Sequence, residues 1–361
     1  MQNEKLAKQL MKKSKTARYE RFGHLLSLSA LLLIMAIVLG IIVFVASKGL
    51  ATFFKDGISV KDFFTGTLWN PGTKTPNGHQ AVGALPMIVG SFLVTILAAL
   101  LSTPFAIGTA VYMTEISPKR GAKILQPVTE LLVGIPSVVY GFIGLSVVVP
   151  FVRNTFGGSG FGILSGTFVL FVMILPTIVS MTVDSLRGVP KFYRQASLAL
   201  GATKWQTIWK VVLRAATPGI LTAVVFGMAR AFGEALAVQM VIGNAALMPQ
   251  NLTSPASTLT SVLTAGMGNT VMGSLQNDAL WSLALVLLVM SLFFNLLVHM
   301  IVGKGRLRNE SNTKAKPICH CLFKSRCWLC GGHLSLSDWL YFYHRTAQYQ
   351  LAFLNVPGQS V

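Results

Sequence analysis

Arg230 and Glu234 stand four residues apart near the middle of an apolar run, Pro218 to Gly243, that reads PGILTAVVFGMARAFGEALAVQMVIG. If that run is one helix, the two side chains stack on one face, a turn apart. A charge at bilayer depth costs roughly 2.5–3.5 kcal/mol on insertion scales, so such a pair belongs against protein or along a polar path. A guanidinium presents five donors in a planar fork and suits tetrahedral oxyanions, whereas lysine is a point charge. Glu234 would hold the arginine and offset its charge while no anion is present. A purely structural ion pair at a helix contact is the plainer alternative. Glu130 is a weaker pathway candidate, just inside a third apolar run, where the dipole of a helix first turn favours a carboxylate by itself.

These residues do no catalysis on their own. The phosphate-cradling string G-x-x-x-x-G-K-[ST] is absent, and no constellation of His, Asp, Ser or Cys suggests a nucleophile or a general base. The expectation is a chain that is not an enzyme, with no cofactor and no metal, whose energy source is another polypeptide.

The elements that would position the two charges follow from composition. The chain is 53% hydrophobic and 11% charged, against roughly 25% charged in an average soluble domain. Six apolar runs reach the ~20 residues that a helix needs to cross a bilayer. They are approximately Leu25–Ser47, Ala84–Pro104, Val128–Pro150, Gly162–Val183, Pro218–Gly243 and Ala279–Val302. The fold class expected is an all-α integral membrane protein with six transmembrane helices.

The net charge of +19 would suggest nucleic acid in a soluble protein, but its distribution argues against that reading. Segments on the N-terminal side of the membrane (1–24, 112–127, 184–217 and 303–316) hold 21 Lys and Arg, and the opposite segments hold 5. Positive loops stay inside, so both termini are expected in the cytoplasm. The first apolar run is too long for a signal-peptide core and lacks an A-x-A site, so it reads as an uncleaved anchor.

Between the fourth and fifth runs lies the polar stretch 187–216. Pro190 suits the first turn of a short helix, Gly201 supplies the left-handed residue that ends it, and Thr203 with Gln206 has the capping-box spacing that starts another. Phe192, Ala196, Ala199 and Leu200 fall on one face. Physics leaves two readings open: a rigid lever seated in a partner, or an amphipathic loop on the headgroups anchored by Trp205 and Trp209.

The string QASLALGATKWQTIWKVVLRAA resembles the EAA loop of ABC importer permeases, EAA-x3-G-x9-I-x-L-P, with Gln195, Ala196, Ser197, Gly201, Val211 and Leu213 on its positions. Gln195 replaces the Glu of the pattern and Arg214 its Pro. AVYMTEISP (Ala110–Pro118), TELLVGIPSVVYGFIGL (Thr129–Leu145) and ARAFGEALAVQMVIGN (Ala229–Asn244) resemble the phosphate-specific branch, the PstC/PstA permeases, and the order of the strings is nearer the PstC type. The resemblance spans roughly 20–305. It implies the type I importer fold in a bacterial cell (inner) membrane and a heterodimer with a second permease. It also implies an ATPase subunit dimer, an extracytoplasmic phosphate-binding protein, and inorganic phosphate as the substrate. Gln195, Ala196, Ser197, Leu200, Gly201 and Ala202 would form the coupling helix that seats in the ATPase. A permease for another oxyanion or small solute is the nearest alternative. An ion-coupled secondary transporter is more distant, because no duplicated half with broken helices is evident.

Three regions are therefore expected: a basic tail at 1–24, a permease domain at 25–303, and an atypical tail at 304–361. All four cysteines (Cys319, Cys321, Cys327, Cys330) fall in that tail, with His320, His333 and His344. Cys319-x-Cys321 lacks the usual zinc spacing, so a poorly ordered extension or a frame-shifted end is favoured over a metal site.

Overall fold

A bilayer offers the backbone no hydrogen-bond partners, so apolar runs of this length fold as helices that satisfy themselves. A computed structural model describes residues 15–74 and 80–310 of the chain. The described fold belongs to one compact unit, Met1–Gly305; of a second, Arg306–Val361, only 306–310 are described. The cysteine-bearing tail from 311 onward, like the basic tail before Lys15, lies outside the described residues.

Among the described residues, six segments are long and apolar enough to cross a membrane: Phe22–Phe54, Leu85–Ile116, Ser137–Phe156, Ile163–Arg187, Lys204–Phe232 and Leu275–Leu297. In chain order the elements are α1 (Lys15–Phe54), α2 (Val60–Thr65), β1 (Trp69–Lys74), β2 (Gln80–Val82) and α3 (Leu85–Val111). Then come α4 (Pro118–Gly134), α5 (Ser137–Ile143), α6 (Val149–Phe156), α7 (Ile163–Arg187) and α8 (Lys191–Ala199). The last described elements are α9 (Lys204–Thr207), α10 (Leu213–Phe232), α11 (Leu236–Val241), α12 (Leu259–Met267) and α13 (Leu275–Glu310). Three wider π turns continue or join these helices: Tyr112–Ile116 after α3, Gly144–Val148 between α5 and α6, and Ile208–Val212 between α9 and α10. The turn formers around Trp69 make a small antiparallel hairpin in which Trp69 pairs with Val82, a minor β addition to a helical fold.

The third span begins at Ser137, not Val128 as the apolar run suggested. Pro136 forces the residue before it out of the helical region, so Ile135 is extended (φ −70°, ψ 128°) and α4 ends at Gly134. Residues 118–134 thus form a separate helix carrying Lys119, Arg120 and Lys123. The fifth span begins at Lys204, well before Pro218, because the π turn lets the helix run on from the loop.

The core forms between the second, fourth and fifth spans. Small side chains on α3 (Ala98, Ala99, Ala106) let Leu170, Ile174 and Ile178 of α7 pack closely, with Ala223 of α10 beside them. In its most apolar stretch the fourth span is 61% buried and the first 0%. The central helix is therefore α7, and α1 stands at the edge. A second cluster around Phe63, Met87, Phe232 and Phe294 closes the far end of the fifth span; the rings of Phe232 and Phe294 lie 5.1 Å apart.

Candidate functional site

The 26-residue run that carries Arg230 and Glu234 is not one helix. α10 ends at Phe232, Gly233 caps it, and a new short helix starts at Leu236. Glu234 lies in the break, so the expected one-face stacking with Arg230 is corrected: no ion pair or hydrogen bond joins them among the described residues. Two interactions hold the break open. Thr260 Oγ1 donates to the Glu234 carbonyl at 2.8 Å, and the Ala237 N–H reaches Glu234 Oε1 at 3.4 Å. The carboxylate caps the first turn of α11, where the helix dipole favours it.

Arg230 turns instead to the fourth span. Its Nη1 donates to Thr177 Oγ1 at 2.7 Å. Gly227, one turn earlier, makes that approach possible, because a Cβ there would sit 2.6 Å from Ile178 Cγ1. The guanidinium is half-buried. Its remaining N–H groups meet no acceptor, and no carboxylate neutralises it, among the described residues. A fork with one neutral partner can take up an anion without first releasing a protein carboxylate.

Glu130 falls near the C-terminal end of α4, exposed, with Gln126 Nε2 donating to it at 3.1 Å. The expected place in the first turn of the third span is thus overturned by the Pro136 break, and the helix dipole there disfavours a carboxylate. Among the described residues, no hydrogen bond or ion pair joins it to Arg230 or Glu234.

The loop between the fourth and fifth spans keeps its expected capping. Gly201 has φ +81°, and the Thr203/Gln206 box is complete: Gln206 N donates to Thr203 Oγ1 at 3.2 Å, and Thr203 N donates to Gln206 Oε1 at 2.9 Å. Pro190 sits one position before the helix rather than in its first turn. Ser197 and Thr207 share a hydroxyl hydrogen bond of 2.9 Å that fixes α8 against α9. Leu200 is 89% exposed and Phe192 72%, so the loop presents bare apolar side chains. Ala196 and Ala202 are half-buried within it.

Sequence reasoning missed what lies under this loop. Arg194 of α8 meets Glu115 in the π turn that ends the second span. Nη2 donates to Glu115 Oε1 at 2.6 Å, and Nε donates to Oε1 at 3.1 Å and Oε2 at 3.2 Å. Nη1 donates to the Val189 carbonyl at 2.7 Å and Nη2 to that of Leu186 at 2.9 Å. The side chains are 22% and 10% exposed. A cleft of about 460 Å³ opens beside the pair, lined also by Arg187, Lys191 and Gln195. Gln195 therefore faces this cleft. The available signal was a carboxylate in AVYMTEISP and an arginine next to the EAA position, 79 residues apart and linked by no pattern in a single sequence.

A family model for the inner membrane component of binding-protein-dependent transport systems matches residues 102–304. The chain is 51% identical over 286 residues to the "Probable ABC transporter permease protein YqgH" of Bacillus subtilis, covering 79% of this chain and 91% of that one. It is 31% identical over 310 residues to the "Phosphate transport system permease protein PstC" of Mesorhizobium japonicum (78% and 91% covered). With PstC 1 of Mycobacterium tuberculosis the identity is 34% over 290 residues (71% and 84% covered). Among solved structures, an inward-facing MetNI methionine ABC transporter chain aligns at TM-score 0.45 and 20% identity, over 60% of this chain and 94% of that one. By its sequence, then, the chain belongs to the family of inner membrane components of binding-protein-dependent transport systems, as a multi-pass permease subunit of an ABC importer that is not itself an enzyme.

Proposed function

We propose that this permease imports inorganic phosphate, forming the translocation path with a second, homologous permease and driven by an ATPase dimer. The observation that carries the reading is Arg230, a half-buried guanidinium on the fifth span whose one protein partner is the neutral Thr177 hydroxyl. A tetrahedral oxyanion fits the donors left over. Relatives at 31% and 34% identity bear the name of phosphate transport permeases, which supports the same substrate. Family membership implies an ATPase and a binding protein as partners. The binding protein would dock on the outer segments 48–80 and 244–278, with both chain termini in the cytoplasm and the 187–216 loop against the ATPase.

A permease for another oxyanion or small solute is the second reading, favoured by one finding: the relative at 51% identity carries no solute in its name. The test is reconstitution of the assembled importer in vesicles with its binding protein. Phosphate is expected to stimulate ATP hydrolysis and to accumulate inside, and sulfate to do neither. Stimulation by sulfate or an amino acid, with none by phosphate, overturns the phosphate assignment and leaves the permease assignment intact.

A further inference from the structure

We propose that Arg194 is a positioning residue that makes the coupling loop and the inner ends of the second and fourth spans move as one body. The inference rests on the importer assignment but not on the substrate. Arg194 is carried by α8, the helix that exposes Phe192 and ends at the exposed Leu200. Its head is spent on other elements. It satisfies the carbonyls of Leu186 and Val189 where the fourth span ends, groups that a helix C-terminus leaves without partners and that favour a cation. It also grips Glu115 of the second span through both carboxylate oxygens. Its three nitrogens all donate, in five hydrogen bonds, as its fixed fork allows and a lysine would not.

The pair is largely removed from water, at 22% and 10% exposure. Losing one partner would leave a poorly solvated charge, so α8 is held against the spans and does not swing on its own. The fourth span then leads from this grip to the candidate pathway. Leu186 and Thr177 lie nine residues apart on α7, about 14 Å at ~1.5 Å per residue, and Thr177 is the residue that holds Arg230. A push on α8 is thus delivered to the helix that carries the partner of the pathway arginine.

The test uses the assembled importer in vesicles with a cysteine introduced at the exposed Ser180 of α7. Its maleimide labelling is read peptide by peptide, so the tail cysteines do not interfere. Labelling is compared without nucleotide and after trapping with ATP and vanadate, which needs no transported solute. With Arg194 present, trapping changes the labelling. In Arg194→Ala and Glu115→Gln the change is expected to shrink at least about fivefold, the low end of ordinary coupling factors, in complexes that still assemble. Arg194→Lys, which keeps the charge but loses the fork, is expected to fall between. An undiminished change in both Arg194→Ala and Glu115→Gln overturns the proposal. So does a drop in assembled complex with a normal change in what remains, because that marks a folding staple. Failure of phosphate uptake with a normal labelling pattern counts against the substrate reading alone.

Discussion

Two arginines of this chain do opposite things with the same head group. Arg194 donates from all three nitrogens to protein: a carboxylate on one span and two carbonyls at the end of another. Arg230 gives one hydrogen bond to a threonine and keeps the rest of its fork uncommitted among the described residues. A guanidinium held this many ways is a fastener, since any change must break several charge-assisted bonds at once. One with a single neutral partner, half-buried beside the core, keeps donors that an anion could use. Net charge and partial burial do not separate the two, and the partners of each head group do.

The comparison breaks first if the loop that carries Arg194 does not face the cytoplasm. A single cysteine at Asn251 is expected to label from outside intact cells, and one at Lys204 is not. Outside labelling of Lys204 would invert the topology and end both assignments.

The next largest effect is at Arg230. Arg230→Lys keeps the charge and discards the fork; losing a hydrogen bond to a charged group costs about 1.5–3 kcal/mol. Phosphate uptake per assembled complex is therefore expected to drop tenfold or more, since about 1.4 kcal/mol is one decade. Normal uptake per complex would reduce Arg230 to a helix contact with Thr177.

Gly201 sharpens the other side. Its φ of +81° is a left-handed conformation in which a β-branched residue loses roughly 1–2 kcal/mol. Gly201→Val is expected to lower uptake several-fold, with insertion into the membrane preserved. Leu200→Asp, on the bare apolar face, is expected to weaken ATPase retention in pull-downs. Normal transport by both would leave this loop as a headgroup helix.

The smallest effect is expected at Glu234. Gln keeps the oxygen that accepts from Ala237 N–H, so Glu234→Gln is expected to stay within about twofold of normal uptake, the scale of a ±0.5 kcal/mol change. A large loss would restore Glu234 as the charge partner of Arg230, in a conformation other than this one.

Much of the molecule was legible because its signals are local. Apolar length announced six spans, and Thr203 with Gln206 and Gly201 marked the helix ends that form around them. The errors share a cause. The four-residue spacing of Arg230 and Glu234 has meaning only if the helix continues, and it is ended by a glycine and by Thr260, a hydrogen-bond donor 26 residues downstream. Glu130 was misplaced because an apolar run was read across Ile135 and Pro136, where the chain turns extended. Arg194 and Glu115 were invisible as a pair because no periodicity links a loop helix to a helix end 79 residues earlier. Tertiary partners overrule local spacing at the positions where function is expected.

The π turn at Tyr112–Ile116 gives that grip an unusual kind of fragility. Such a turn holds one residue more than the regular helix around it needs, and so it sets the rotational phase of everything after it. Deleting Thr114 would shorten the second span by only ~1.5 Å and let the wide turn close to a regular one, so Glu115 would lose its place in that turn. Neither Arg194 nor Glu115 would have changed. The fastener would fail through register alone, as a key fails when one tooth is shifted along its blade.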